Sequence, residues 1–457
     1  MARKPQFDYD LIVIGSGAGG TPAASIAAAN GKKVAVVESD VFGGESPNWG
    51  DVPIKALLHA AQLFDEAKQG TRFGIRSAAL GYNFLSLKAW KDTAVKRTGS
   101  GNDRKYYEKQ GIDTFHSPAH FLSPHEISIN RRHLSASHFL IATGSYWEVP
   151  DVVGFDTVSY HTPRTILDIA RPPKSLLIVG GGSNAIEFAQ LFAILGTKVY
   201  VAEKGARLLP DEDAEAGELI ARVLSEEQGV SVLTQTKLLS IQKDGLGKRV
   251  IYSRGGAEKS LRVDDILVTE GRVPMVDIGL ENASVAYTPK GIQVDDYLQT
   301  TAHHIFAAGD VLGSKKYLHT ALLESRIAAN NLFHKQKVKP DYDAMPNVTF
   351  TMPGIASVGL TEDACLRRDL DVKKSLIPLN MIARSNTSDF RDGFVKLIAD
   401  KKGVLIGATI VAPHAGEMIH ELTLAIKHGM SAADLANTPH AFLSWSEAVR
   451  VAASRLV

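Results

Sequence analysis

The chain has 457 residues, and an allowance of about 150 residues per domain predicts about three domains. The hydrophobic fraction of 44% and the charged fraction of 22% are typical of globular proteins and exclude disordered, collagen-like and disulfide-scaffold classes. The formal net charge is +1, so no global field attracts nucleic acid or an anionic membrane.

Cysteine and histidine usage excludes further chemistries. Cys365 is the only cysteine, which excludes an intramolecular disulfide, a multi-cysteine zinc site and a dithiol redox centre. The 15 histidines combine neither with cysteines nor in an H-E-x-x-H pattern, so no metal site is predicted. No apolar run reaches the roughly 20 residues that span a bilayer. We therefore expect a cytoplasmic protein without membrane insertion.

The N-terminus predicts a βαβ unit. The apolar run Tyr9–Ile14 has the length of a buried parallel strand, and it leads into a turn that contains Gly15, Gly17 and Gly20. The alanine-rich stretch 21–30 predicts a helix, and residues 33–38 predict a second strand that ends at Glu38.

The same pattern returns in the middle of the chain. Strand-like residues 175–179 lead into Gly180 and Gly182, a helix through Leu195 and a strand that ends at Glu203. In both copies the acidic residue lies 23 positions after the first glycine. Glycines permit the tight turn and the approach of a pyrophosphate to the helix N-terminus, and the carboxylate accepts hydrogen bonds from ribose hydroxyls. The alternative is a glycine turn without a ligand, but its repetition favours two dinucleotide sites.

Three further segments each read as a strand that runs into a glycine turn: 138–144, 265–271 and 304–310. A helix is predicted from about His319 to Leu332. From Pro346 onwards, alternating strands and helices predict an α+β module, with helices around Met418 to His428 and Glu447 to Ser454. The polar stretch 335–345 predicts a domain boundary before it.

Together these motifs resemble the class I flavoprotein disulfide reductases, the pyridine nucleotide-disulfide oxidoreductases that include dihydrolipoamide dehydrogenase and mercuric reductase. The resemblance rests on the two glycine motifs with Glu38 and Glu203 and on these motifs: Ala142-Thr143-Gly144, Gly271-Arg272-x-Pro274, Ala308-Gly309-Asp310, Ala356-Ser-Val-Gly-Leu-Thr361 and Ser446-Glu447-Ala448. It implies FAD at the first dinucleotide site, NAD(H) or NADP(H) at the second, and a homodimer.

The implied fold class is α/β, with two Rossmann-like dinucleotide-binding domains and a C-terminal α+β dimerisation domain. We expect FAD binding by residues 1–150 and 272–344, NAD(P) binding by 151–271, and dimerisation by 345–457. The cofactor-binding residues implied by the motifs are Gly15, Gly17, Gly20, Glu38, Thr143, Gly144, Gly180, Gly182, Glu203, Gly271, Gly309 and Asp310. In the family, the counterpart of Asp310 accepts hydrogen bonds from the ribityl chain of FAD.

The segment that carries the redox-active cysteine pair in the family departs from the pattern. In the segment 43–55, Ser46 and Asp51 occupy the two cysteine positions. Counting back from Glu447 places Phe442 where the family has its catalytic His, and His440 is more readily a packing or surface residue. Reduction of lipoamide, glutathione disulfide or mercuric ion is therefore not expected.

The resemblance implies catalytic roles for Lys55, Glu187 and Asp51. In the family, residues at the positions of Lys55 and Glu187 pair beside the flavin, where the ammonium stabilises negative charge on the reduced ring. The alternative is a loop lysine and a surface helix glutamate without that role. Asp51 either points towards the isoalloxazine ring or only caps the helix that follows it.

Two functions from different classes remain. The first is an NAD(P)H oxidoreductase that passes electrons from reduced flavin to a small acceptor, such as a quinone or dye, or to a second nucleotide. The second is a noncatalytic FAD-binding sensor or scaffold. The intact nucleotide motifs favour the enzyme. Glu203 would repel a 2′-phosphate and favours NAD(H), whereas Lys204 and Arg207 could accommodate NADP(H).

Overall fold

The fold is described from a computed structural model, which covers residues 7–76, 79–98, 104–314 and 316–457. Its strands, numbered in chain order, are β1 (Tyr9–Ile14), β2 (Val34–Glu38), β3 (Asp113–His116), β4 (Ala119–Ser123), β5 (Glu126–Ile129), β6 (Arg132–Ile141), β7 (Ser145–Trp147), β8 (Ser175–Val179), β9 (Lys198–Ala202), β10 (Ser231–Leu233), β11 (Thr236–Asp244), β12 (Gly247–Arg254), β13 (Ala257–Val263), β14 (Asp265–Val268), β15 (Arg272–Pro274), β16 (Tyr287–Thr288), β17 (Gly291–Ile292), β18 (Ile305–Ala307), β19 (Asn347–Thr349), β20 (Gly354–Gly359), β21 (Val372–Pro378), β22 (Phe394–Asp400) and β23 (Leu405–Ala412). The α-helices are α1 (Thr21–Ala29), α2 (Glu45–Asn48), α3 (Asp51–Gln69), α4 (Phe84–Thr98), α5 (Arg104–Glu108), α6 (Ser183–Ile194), α7 (Ala214–Arg222), α8 (Leu318–Phe333), α9 (Glu362–Arg367), α10 (Ala383–Ser388), α11 (Ala415–Lys427), α12 (Ala432–Asn437) and α13 (Glu447–Ser454).

The described residues form two compact units. The first unit contains the described residues within 7–56, 89–148 and 271–340. The second unit contains those within 57–88, 149–270 and 341–457. The two predicted glycine turns therefore lie in different units. The division into three functional domains at residues 150, 271 and 344 stays a prediction.

A parallel sheet forms the centre of the first unit, with β1 between β2 and β6, β3 beside β2, and β18 beside β6. The predicted strand 138–144 begins earlier, at Arg132, because the first half of β6 pairs antiparallel with β5. All five residues of β2 are buried, and β1 is buried except at Asp10. Burial on both faces explains why these strands are almost continuously apolar.

The second unit contains a parallel sheet in the order β10-β9-β8-β14 and an antiparallel sheet in the order β11-β12-β13. Helix α6 connects β8 to β9, which reproduces the βαβ arrangement of the first unit. Because β8 has β9 on one side and β14 on the other, the strand order reverses at β8. Open α/β sheets bind their ligands at the carboxyl ends of the strands at such a point.

The C-terminal part of the second unit is an antiparallel sheet in the order β19-β20-β23-β22-β21, and it shares a hydrophobic core with α11, α12 and α13. Trp445 lies in this core, 6.2 Å from the Phe390 ring centroid in an edge-on arrangement. The prediction of an α+β module is confirmed. Within the described part of the chain, no helix has the length and apolar character needed to cross a membrane.

Candidate functional site

The first glycine turn is shaped by close backbone packing. Gly15 has a φ of 102°, and a Cβ atom built on it would lie 2.2 Å from the carbonyl oxygen of Ala142. A Cβ on Gly20 would lie 2.0 Å from the carbonyl oxygen of Gly15. Side chains at these two positions would push apart β1, β6 and the start of α1. The tight turn therefore lies at the N-terminus of α1, and a helix N-terminus suits a pyrophosphate group.

Glu38 ends β2 beside this turn and is buried. One of its carboxylate oxygens accepts hydrogen bonds from the backbone N–H of Ser16 at 2.9 Å and from the Ser16 hydroxyl at 2.7 Å, and the other accepts from the N–H of Asp40 at 2.8 Å. Behind the turn, the hydroxyl of buried Tyr107 lies 2.7 Å from Thr21 Oγ1, and burial raises the pKa of Tyr107 to about 12. This backing residue was not predicted from the sequence, because its position depends on α5.

Asp310 follows β18 and belongs to a polar cluster in the first unit. Its Oδ2 accepts a hydrogen bond from the Ser145 hydroxyl at 2.6 Å and lies 3.3 Å from Nε of Arg272. The Arg272 guanidinium also stacks on the Trp147 ring, 4.7 Å from its centroid. The antiparallel pair β7 and β15 brings Ser145, Trp147 and Arg272 together, so Asp310 is held in a fixed orientation.

The other predicted FAD residues lie on the same unit. Thr143 donates from Oγ1 to the carbonyl oxygen of Met275 at 2.7 Å, and Gly144 accepts from the N–H of Met275 at 2.9 Å. Gly271 and Gly309 have φ values of 67° and 83°. The two hydrogen bonds join the carboxyl ends of β6 and β15, and Gly309 follows β18 in the same unit.

The segment at the two former cysteine positions forms a hydrogen-bonded chain. Ser46 in α2 donates from its hydroxyl to Asp51 Oδ2 at 2.7 Å, and Asp51 Oδ1 lies 3.5 Å from the Lys55 ammonium. Asp51 is the first residue of α3, so the ion pair with Lys55 spans one helical turn. The side chain of Asp51 is 54% exposed. The structure thus brings together Ser46, Asp51 and Lys55, three residues that the sequence singled out.

The second glycine turn lies after β8. A Cβ atom on Gly181 would lie 2.7 Å from Oε2 of Glu203, which is buried at the end of β9. Oε1 of Glu203 accepts a hydrogen bond from the N–H of Gly205 at 2.5 Å. The carboxylate predicted to meet the ribose therefore lies directly over the turn, with Gly180 and Gly182 on either side of Gly181.

The two cations that could accommodate a 2′-phosphate are both engaged within the second unit. Lys204 Nζ lies 2.6 Å from Glu270 Oε1. Arg207 donates to the Pro210 and Glu212 carbonyl oxygens at 3.1 and 3.0 Å and to Asp363 Oδ2 at 2.8 Å. These contacts direct both cations towards protein acceptors.

Glu187 lies on α6 in the second unit and is 1% exposed. Its Oε1 accepts a hydrogen bond from the backbone N–H of Phe350 at 2.8 Å. Glu187 therefore positions the end of β19. Lys55 belongs to the first unit, and its pairing with Glu187 stays a prediction.

Near the C-terminus, the position of the family's catalytic His carries no acid–base side chain. Phe442 is 74% exposed. The ring nitrogens of His440 lie 2.9 Å from the carbonyl oxygen of Thr438 and 2.6 Å from Glu421 Oε1, which supports its interpretation as a packing residue. Oε2 of Glu447 is buried without a hydrogen-bond partner within the described residues.

Two glycine turns, each followed by a buried glutamate at the end of the next strand, are typical of a protein that binds two dinucleotides, and the single cysteine excludes a dithiol within the chain. Residues 9–325 match the family described as "Pyridine nucleotide-disulphide oxidoreductase", and residues 345–453 match the dimerisation domain of that family. The chain belongs to the pyridine nucleotide-disulphide oxidoreductase family.

Individual relatives support this assignment over nearly the full length. A mercuric reductase of Streptomyces lividans is 35% identical over 97% of this chain and 95% of its own length. A dihydrolipoyl dehydrogenase of Thermus scotoductus is 35% identical over 98% of this chain and 97% of its own length. The Cu(II) complex of the HOCl-induced flavoprotein disulfide reductase RclA from Escherichia coli has 27% identity and a TM-score of 0.88, covering 98% of this chain and 100% of that one.

These matches confirm the resemblance, the fold class and the cofactors predicted from the sequence. The protein is an FAD-dependent pyridine nucleotide oxidoreductase by family, with FAD and NAD(P)H as cofactors. Its C-terminal dimerisation domain supports a homodimer. The roles of individual residues towards these cofactors stay predictions. The buried glutamates and the tight glycine turns fit the two nucleotides.

We expect Asp310→Ala and Glu38→Ala to lower the FAD content of the purified protein. Each variant removes a charged hydrogen-bond acceptor, which costs about 1.5–3 kcal/mol, or roughly 10- to 150-fold in affinity. The measurement is the ratio of flavin to protein absorbance after dialysis. Asp277→Ala removes an exposed carboxylate from the same unit and serves as the control. Full FAD retention by Asp310→Ala would contradict its assignment.

Proposed function

We propose that the protein is an NAD(P)H-dependent flavin oxidoreductase without disulfide reductase activity. Electrons from the nicotinamide nucleotide reach a small acceptor, such as a quinone, a dye or a second nucleotide, by way of FAD. The proposal goes beyond the family assignment in two respects: it removes the disulfide step, and it gives the electrons a direct route to the acceptor.

The observation that carries the proposal is the contact between Ser46 and Asp51. Where the family has two cysteines, a hydroxyl donates to a carboxylate at 2.7 Å. Neither group forms a disulfide or a thiolate, and the one cysteine of the chain, Cys365, is buried in α9. Bound FAD supplies hydride acceptance and electron release, and this chemistry needs no thiol.

The residues of the chain then have three tasks. Glu38 and Asp310 hold FAD through hydrogen bonds, and Glu203 holds the adenine ribose of the nicotinamide nucleotide. Lys55 stabilises negative charge near the ring, and its ion pair with Asp51 fixes the ammonium at the start of α3. The Asp51 carboxylate accepts the Ser46 hydroxyl hydrogen and is 54% exposed. A quinone takes up two protons with two electrons, and solvent in contact with this carboxylate is the source of these protons.

The geometry of the second unit favours NADH over NADPH. Glu203 is buried over the glycine turn, where a 2′-phosphate would meet its negative charge. Lys204 pairs with Glu270, and Arg207 donates to Asp363. Binding of a 2′-phosphate would have to break these contacts before either cation could help.

We expect NADH to reduce the bound flavin more effectively than NADPH, by at least about tenfold in the apparent second-order rate constant, which corresponds to about 1.4 kcal/mol. The measurement is anaerobic stopped-flow mixing of the FAD-loaded protein with each nucleotide, followed at the flavin absorbance band. A larger rate constant with NADPH would contradict the assignment of Glu203.

The acceptor is tested by steady-state turnover with NADH and a short-chain quinone, with lipoamide and glutathione disulfide as comparisons. We expect turnover with the quinone and none above background with either disulfide. Disulfide turnover would overturn the proposal. A flavin that stays oxidised with both nucleotides would also overturn it and would favour the noncatalytic sensor or scaffold.

A further inference from the structure

An ion pair crosses the predicted nucleotide crevice of the second unit. Lys204 follows β9 and Glu270 follows β14, and their charged groups meet at 2.6 Å. Because β8 lies between these two strands in the sheet, the ion pair passes over the carboxyl end of β8. The glycine turn begins at that end, at Gly180.

The residues around the ion pair lie directly against this turn. A Cβ atom on Gly180 would lie 3.4 Å from the backbone nitrogen of Glu270, and one on Gly181 would lie 2.7 Å from Oε2 of Glu203. The turn therefore lies close to Glu270, and it also lies close to Glu203, the residue that precedes Lys204. A dinucleotide whose pyrophosphate binds at the turn has to come close to this ion pair.

We propose that the Lys204–Glu270 ion pair is a latch across the mouth of the nicotinamide-nucleotide crevice. Without a nucleotide, Glu270 holds the Lys204 ammonium; when the nucleotide binds, one of its phosphates replaces the Glu270 carboxylate as the partner of Lys204. Glu270 is then a specificity-determining residue, because it competes with phosphate groups for this cation. The inference rests on the proposed function in one respect, namely that a nicotinamide nucleotide binds at this turn.

The latch opens easily and acts more strongly on NADP(H) than on NAD(H). Lys204 is 75% exposed and Glu270 is 27% exposed, and ion pairs this close to solvent are weak. The 2′-phosphate of NADP(H) brings additional negative charge next to Glu203, where Lys204 is the adjacent residue in the chain. An ammonium of Lys204 that has been released from Glu270 would attract the 2′-phosphate most strongly. By holding Lys204, Glu270 therefore discriminates against NADP(H).

The test measures binding of NADP⁺ and NAD⁺ to the FAD-loaded, oxidised protein by titration calorimetry. We expect Glu270→Gln to tighten NADP⁺ by about fivefold and NAD⁺ by about twofold, in the range of exposed ion pairs. Glu258→Gln removes the same charge from an exposed position on β13 and is expected to change neither.

Lys204→Met provides the decisive comparison. If the latch is correct, Glu270→Gln has no effect in the Lys204→Met background, because no ammonium remains to be freed. The same gain in that background would show that Glu270 acts through its own charge and would overturn the latch. Unchanged or weaker NADP⁺ binding in Glu270→Gln alone would overturn it as well. A wild-type protein that binds neither nucleotide would overturn the proposed function and the latch together.

Discussion

Replacing Lys396 with methionine is expected to lower the free energy of unfolding by about 3–5 kcal/mol, because it leaves the buried Asp213 carboxylate without its cation. Lys396 on β22 is 3% exposed, and its ammonium lies 3.1 Å from Asp213, 2.9 Å from Glu215 and 2.7 Å from Glu362. Asp213 is 2% exposed, and it cannot regain water when its partner is removed.

Lys374→Met is the matched control. Lys374 is 56% exposed and also pairs with Glu362, so its loss is expected to cost at most about 1 kcal/mol. Both variants are measured by denaturant unfolding of the FAD-loaded protein with a signal from the second unit, such as the fluorescence of Trp445. Equal stability of the two variants would show that the buried cluster contributes no more than a surface ion pair.

The same cluster predicts how stability changes with pH. Hydrogen bonds from Lys374 and Lys396 lower the pKa of Glu362, so its contribution is present above the pKa of an unfolded glutamate and is lost as the pH falls through the lowered value. Burial opposes the charge of Lys396, but hydrogen bonds to Glu362 and Glu215 outweigh it and raise its pKa. That contribution is lost only as the pH rises through the raised value. We expect the acid-side loss to be smaller in Lys396→Met.

The double variant Ser46→Cys/Asp51→Cys is expected to regain the first step of the family's reaction, in which reduced flavin passes electrons to the cysteine pair. The native side chains touch at 2.7 Å, so two thiols at these positions can reach each other. Reduction by NADH is expected to give a long-wavelength absorption band of a thiolate beside the flavin, which the wild-type protein lacks. Turnover of lipoamide or glutathione disulfide is expected to stay low, because Phe442 occupies the position of the acid–base His.

Two further variants give this experiment its controls. Ser46→Cys alone supplies one thiol and cannot form the disulfide, so it should show no disulfide reduction by NADH. Adding Phe442→His to the double variant is expected to raise disulfide turnover by about 10²-fold or more, the lower range of general acid–base catalysis. Efficient turnover in the double variant without this histidine would show that the missing base is not limiting.

Local pattern predicted the elements that carry an apolar run or an amphipathic repeat. Strands β1 and β8 and helix α13 have the predicted bounds, and α8 differs by one residue at each end. The two strands are continuous apolar runs that end at glycine turns, and the two helices repeat apolar residues at helical spacing, so neighbouring residues are enough to define them. By contrast, helix α11 begins at Ala415, three residues before the predicted Met418, because its first turn packs into the core of the C-terminal sheet.

The candidate site was predicted less completely, because several of its contacts join residues that are far apart in the sequence. The pair Arg272 and Asp310 lies 38 positions apart, and Lys204 and Glu270 lie 66 positions apart. No local pattern signals such contacts, since they arise only after strands have paired. Ser46, Asp51 and Lys55 could be singled out because they lie within ten residues and depart from a known motif.

The Ser46–Asp51 contact also bears on how the protein responds to compounds that react with thiols. A reduced dithiol reacts with alkylating agents, because these compounds attack exposed thiolates. Here the corresponding side chains are a hydroxyl and a carboxylate, and the thiol of Cys365 is 1% exposed, with a pKa raised by burial. We therefore expect the proposed electron transfer to continue after treatment of the protein with alkylating agents that react with thiolates.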